Sequence, residues 1–133
     1  MLAHEQWMAK AHEDFNAARI LRRNKAFSVA TYHCQQAAEK ALKCYLVFKK
    51  QELMKSHDLV KLCALCKKFD HDFEKLAYAC EMLSPFATKF RYPSEFDIPD
   101  LSEIKEVTRQ TKKILMFTEK KISQAAVGQM EIR

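Results

Sequence analysis

The chain of 133 residues has one glycine and three prolines. That is too little turn chemistry for a β-sandwich or barrel, whose many hairpins need residues that reach positive φ. It also excludes a P-loop and a dinucleotide fingerprint, because both bring several glycines close to a phosphate. Long apolar runs are missing: none approaches the roughly 20 residues that cross a bilayer, so no membrane association is expected. The opening stretch MLAHEQWMAKAHED contains acids and no continuous apolar segment, so it does not read as a secretion signal. The cysteines, Cys34, Cys44, Cys63, Cys66 and Cys80, are odd in number. Without a secretion signal they read as reduced thiols in a cytoplasmic protein.

The chain is 48% hydrophobic and 30% charged, a globular balance in a length that suits one domain. Its net charge of +6 permits a polyanionic partner without requiring one. The apolar pattern is helical throughout. Trp7, Ala11, Phe15, Ala18 and Leu21 recur at spacings of three and four, which predicts a helix over about 3–23. A second helix, about 26–50, carries Ala30, Cys34, Ala37, Ala41, Tyr45 and Phe48 on one side, widened by Ala38, Leu42 and Leu46. An arc so broad predicts a central helix whose small residues let its neighbours approach closely. A short third helix over about 58–68 turns Leu59, Leu62, Cys63 and Cys66 inward, with Ser56 or Asp58 as its cap. A fourth, about 70–86, holds Phe73, Leu76, Ala77, Cys80 and Leu83. Pro93 and Pro99 mark an irregular stretch from Thr88 to Asp100. Asp100 with Glu103 resembles a capping box for a fifth helix, about 100–122, with Leu101, Ile104, Val107, Ile114, Leu115 and Ile122 inward. The expected fold is all-α: a five-helix antiparallel up-and-down bundle over residues 1–123, followed by a C-terminal extension, 124–133, that reads as frayed or accessory.

Four groups of residues can carry chemistry. Tyr32, Gln36, Glu39 and Lys43 share one face of the second helix, with Lys40 beside them. They form either a solvated face with a Gln36–Lys40 or Glu39–Lys43 pair, or a polar border to a cleft. Lys89, Arg91 and Tyr92 lie in the proline-bounded loop. There Arg91 offers a fork to a phosphate and Tyr92 a stacking face to a base, or Arg91 pairs with Glu95 or Asp97 and Tyr92 covers the core edge. In Ser56-His57-Asp58 a histidine stands beside a carboxylate, as in a general base, although capping suits Ser56 or Asp58 as well. Cys63 and Cys66, with His71 nearby, have the spacing of half a zinc site. No second pair follows, and both cysteines fall on the buried stripe, so no metal is expected.

Three of these stretches together resemble the HEPN family: Tyr32-His-Cys-Gln-Gln-Ala-Ala-Glu-Lys-Ala-Leu-Lys43, then Ser56-His57-Asp58-Leu59, then Arg91-Tyr92-Pro93, in the family's order and spacing. Trp7, Asp14 and the Ala17-Ala18 pair resemble its first helix, and the likeness covers about residues 5–122. The resemblance implies a helical bundle like the substrate-binding domain of kanamycin nucleotidyltransferase. It also implies a homodimer that binds a nucleotide or RNA and partners a minimal nucleotidyltransferase in a toxin–antitoxin-like pair, with no cofactor. Gln36, Glu39, Lys40, Lys43, Arg91 and Tyr92 would form the nucleotide-binding site. Many members are metal-independent ribonucleases marked by an arginine followed four to six residues later by histidine. This sequence lacks that mark: Phe96 and Ile98 stand near where the histidine would fall, and no other arginine has one at that distance. The expectation is therefore binding without cleavage. The alternatives are a ribonuclease toxin that uses Arg91 with His57, and a purely structural interaction module.

Overall fold

The computed structural model describes residues 1–53, 55–88 and 99–132, with side chains through 128. Among them there is no strand. The bundle consists of α1 (Ala3–Arg23), α2 (Phe27–Phe48), α3 (Leu59–Lys67), α4 (Ala77–Leu83) and α5 (Leu101–Ile132). The single fourth helix expected from the sequence is three pieces in sequence: a 3₁₀ segment His71–Leu76, α4 itself, and a second 3₁₀ segment Ser84–Ala87 with Pro85 at its start.

α2 is the central element, packing most extensively against α1 and also against α3 and α5. Ala30, Ala37, Ala38 and Ala41 are fully buried, so the backbones of neighbouring helices come close. The core continues through Leu59, Leu62, Leu76 and Leu83 to Val107, Ile114 and Leu115. Phe73 is fully buried at its centre, 4.4 Å from the Tyr45 ring and edge-on to Phe117 at 5.1 Å. All five cysteines are buried and free. Cys63 and Cys66 hydrogen-bond to the carbonyls of Phe73 and Leu42, so they serve as small core residues.

The scarcity of glycine has a visible consequence. α1 and α2 both end in Schellman turns, in which a wide backbone bond encloses a narrower one. The amide of Ala26 bonds to the Leu21 carbonyl around a Lys25 to Arg22 bond, and the amide of Gln51 bonds to the Leu46 carbonyl around a Lys50 to Val47 bond. Each turn needs a left-handed residue, and lysine supplies it both times, at φ 61° for Lys25 and 59° for Lys50. The cations gain from the helix dipole while the backbone bears a cost that glycine would not.

Two further expectations change. Leu101 is half-exposed and outside the core, because helical spacing sets it to one side of the buried stripe of Ile104, Val107, Thr111 and Ile114. α5 does not end near Ile122 but runs on to Ile132. The apolar stripe fades after Ile122, and with nothing in the local sequence to stop it until Gly128, the helix continues by propagation.

Candidate functional site

The polar stripe of α2 divides between two networks. Glu39 and Lys43, one turn apart, pair at 3.1 Å with side chains only 4% and 8% exposed. The pair is thus present but buried, where it must offset the desolvation of two charges. Further bonds supply what the pair lacks. The second Glu39 oxygen bonds His57 Nδ1 at 2.9 Å. The Lys43 ammonium sits 5.9 Å from the Trp7 ring, within range of a cation–π contact.

The segment carrying His57 is held from both sides. Asp58 caps α3 by accepting from the amides of Val60 and Lys61, and its own amide donates to Ser56 Oγ. The fully buried Gln35 donates to the His57 carbonyl at 3.1 Å and accepts from Gln36 Nε2 at 2.7 Å. Ser56 and Asp58 therefore shape the turn, and His57 leans back on α2 with its ring mostly exposed. Because Nδ1 is held by a carboxylate, Nε2 is the ring nitrogen left for solvent or a ligand.

The second network centres on Asp14 of α1. One oxygen pairs with His33 Nδ1 at 2.9 Å, and the other bonds the Lys40 ammonium. Lys40 then borders an open cleft of about 770 Å³ between α1 and α2, together with Gln6, Trp7, Lys10, Glu13 and Asp14. Of the residues expected at a nucleotide site, Lys40 lines this cleft. Lys43 lies behind Trp7, Glu39 and Gln36 belong to the His57 network, and Arg91 and Tyr92, with Lys89, fall outside the described residues.

Asp14, Trp7, Lys10 and Gln35 contribute to the site without having been singled out for it. Two carried a signal in the sequence. Asp14 interrupts the apolar stripe Trp7, Ala11, Ala18, and Gln35 stands within the apolar arc of α2 between Thr31 and Ala38. A polar residue at a core position needs a partner, so each break in the pattern marks a hydrogen bond at the edge of the core.

The HEPN domain model matches residues 4–122, a span that includes both networks. The chain belongs to the HEPN family. Its fold is similar to that of TT1696 from Thermus thermophilus, at TM-score 0.79 and 24% identity over 91% of this chain and 99% of that one. It is also similar to ST0689, an archaeal HEPN homologue, at TM-score 0.73 and 23% identity over 92% and 99%. No curated protein matches the sequence. In this HEPN domain the helix 2 motif and the Ser-His-Asp-Leu motif are one hydrogen-bonded unit, joined through Glu39–His57 and Gln35–His57.

Proposed function

We propose that this HEPN protein is a nucleotide- or RNA-binding homodimer, the partner of a minimal nucleotidyltransferase in a toxin–antitoxin-like pair, and that it binds without cleaving. The observation that carries the binding reading is the α1–α2 cleft. Its volume, about 770 Å³, falls in the range of small-molecule sites, roughly 300–1,000 Å³. It combines the Trp7 ring, a stacking face for a base, with the ammonium groups of Lys10 and Lys40. Lys40 has three donors and gives one to Asp14, which aims the group and leaves donors for a phosphate. Arg91 adds the bidentate contact in this reading, and Tyr92 packs or stacks beside it.

Exposed apolar residues support the homodimer. Met1, Leu2 and Val127 are more than half exposed, and a groove of about 700 Å³ lies between the start of α1 and the far part of α5. Covering such surface is the usual reason for association. Sedimentation at micromolar concentration should give about twice the 15.6 kDa chain mass; a stable monomer there refutes the dimer.

Calorimetry with nucleotides and short RNA tests the site. Arg91→Ala should weaken binding most and Lys40→Ala less, whereas Lys43→Ala should act through stability. Equal affinity in wild type and Arg91→Ala removes Arg91 from the site. One observation favours the ribonuclease alternative: the buried Glu39 carboxylate fixes the tautomer of an exposed histidine, as a proton-transfer group requires. Labelled RNA incubated with the protein in chelator decides between the two. Persistence of the RNA supports binding alone. Cleavage lost in both Arg91→Ala and His57→Ala establishes the alternative.

A further inference from the structure

The carboxyl-terminal half of α1 carries a charge feature that neither network uses. Arg19, Arg22 and Arg23 stand at i, i+3 and i+4, so their guanidinium groups leave the helix on one side. With Asn16 one turn earlier they line an open hollow of about 410 Å³. Among the described residues, the ion pairs all involve other cations, and no carboxylate pairs with any of these three arginines. Complementing the helix dipole accounts for little of this, since the terminal charge is about half a unit against three guanidinium groups. Arg19 is steadied over the Phe15 ring at 5.4 Å.

The hollow and the cleft lie on different flanks of α1, and a depression across the helix's outer face adjoins both. This depression, of about 420 Å³, shares Asn16 and Arg19 with the hollow, and Ala9 and Glu13 with the cleft. The two acids along this stretch are already paired, Glu13 with Lys10 at 3.4 Å and Asp14 with His33 and Lys40. Along the helix axis Trp7 and Arg23 stand about 24 Å apart, given the 1.5 Å rise per helical residue. That length accommodates several nucleotides, on the order of the 4 or more that a small single-strand site covers.

We infer that the Arg19–Arg22–Arg23 hollow binds the phosphodiester backbone of a single-stranded RNA that extends from the α1–α2 cleft. The inference builds on the cleft reading above but adds a separate contact. Guanidinium forks match phosphate oxygens in pairs, and three on one helix face suit a chain of phosphates better than one small anion. A lipid surface fits poorly, because the apolar face of α1 that would insert, Ala11, Phe15 and Ala18, is buried in the core. An acidic protein fits poorly as well, because no residue lining the hollow is apolar, whereas protein interfaces centre on apolar anchors.

Anisotropy with a labelled twelve-nucleotide oligouridylate, over a salt series, tests the hollow. The proteins compared are wild type, a triple glutamine replacement (Arg19→Gln, Arg22→Gln, Arg23→Gln) and a triple lysine replacement (Arg19→Lys, Arg22→Lys, Arg23→Lys). Calorimetry with uridine monophosphate reads the cleft separately. Each phosphate contact on a single strand adds about 0.7 to the slope of log affinity against log salt, so the glutamine triple should lose about two units of slope. It should bind the oligonucleotide at least tenfold more weakly at low salt, while the lysine triple keeps most of the slope and uridine monophosphate binding is unchanged. Should the triple variant misfold, Arg19→Gln with Arg23→Gln, both at exposed positions, replaces it. Arginine-dependent oligonucleotide binding without mononucleotide binding supports the hollow and removes the cleft reading. Oligonucleotide affinity that is absent, or equal in wild type and the glutamine triple, overturns the hollow even when the mononucleotide binds. Arginine-dependent binding to phosphatidylserine vesicles without oligonucleotide binding overturns it in favour of a lipid surface.

Discussion

Two regions of the bundle solve the same problem in opposite ways. Around Phe73 the space between α2, α3, α4 and α5 is filled mainly by aromatic rings, leucines and cysteines, and the Cys63 and Cys66 thiols donate to backbone carbonyls. Around Glu39, at a similarly buried depth, a carboxylate and an ammonium pair with each other, and the Gln35 amide donates to the His57 carbonyl and accepts from Gln36. The first region stabilises by removing apolar surface from water. The second offsets the desolvation of its charges with paired bonds and contributes little net stability, but it fixes where His57 and Lys43 stand. The apolar region is where stability is concentrated, and the polar region is where geometry is specified.

The strongest way to break this contrast is to empty the apolar side. Phe73→Ala removes a ring that touches Tyr45 and Phe117, and should cost about 4 kcal/mol in denaturant unfolding. The polar side should respond differently to single and double changes. Glu39→Ala strands a buried ammonium and should cost about 3 kcal/mol, whereas Glu39→Leu with Lys43→Met should come close to neutral while freeing His57. A double variant as unstable as the single one shows that the network, and not the unpaired charge, carries the stability.

Alkali should expose the apolar side. Burial raises the Cys34 thiol from 9.0 to about 11 and the Cys44 thiol from 9.0 to about 12, and it raises the Tyr45 hydroxyl from 10.0 to about 12. Raised values mean that the folded chain holds these protons more tightly than the unfolded one. Their contribution is complete below pH 9 and is lost as pH rises towards 11–12, at up to about 1.4 kcal/mol per pH unit for each group. Unfolding free energies measured from about pH 8 to 11 should fall above about pH 9. A flat profile contradicts the burial of these groups. In the native state near neutral pH the thiols should resist alkylation, and five should react after denaturation.

The smallest expected effect lies outside both regions. Lys25→Gly and Lys50→Gly relieve left-handed backbone at the ends of α1 and α2, and each should stabilise by up to about 1 kcal/mol. Thermal melts that fall in either variant show that the lysine's charge at the helix end outweighs the backbone cost.

Periodicity alone was enough to place α1 and α2 within two residues of their observed ends and to choose nearly all of the core, while cap chemistry narrowed the start of α3 to Ser56 or Asp58, of which Asp58 caps the helix. These features are local: a face that repeats every three or four residues, or a carboxylate two residues before the amide it accepts from. The breaks in α4 and the length of α5 were less legible. A 3₁₀ turn differs from an α-turn by one residue per bond, and a helix end without a stop signal leaves no mark.

The candidate site divides along the same line. Composition and spacing determined that polar residues of α2 share a face and that a histidine beside a carboxylate follows them. Only the tertiary structure decided which carboxylate serves which base. His57 stands next to Asp58 in the chain, yet it pairs with Glu39 eighteen positions away, and Lys40 pairs with Asp14 of another helix. Adjacent side chains diverge from the backbone, so a histidine finds its partner across a packed interface rather than along the sequence. Which face of a helix is buried is determined by its own repeat; which charge meets which is determined by the helix packed against it.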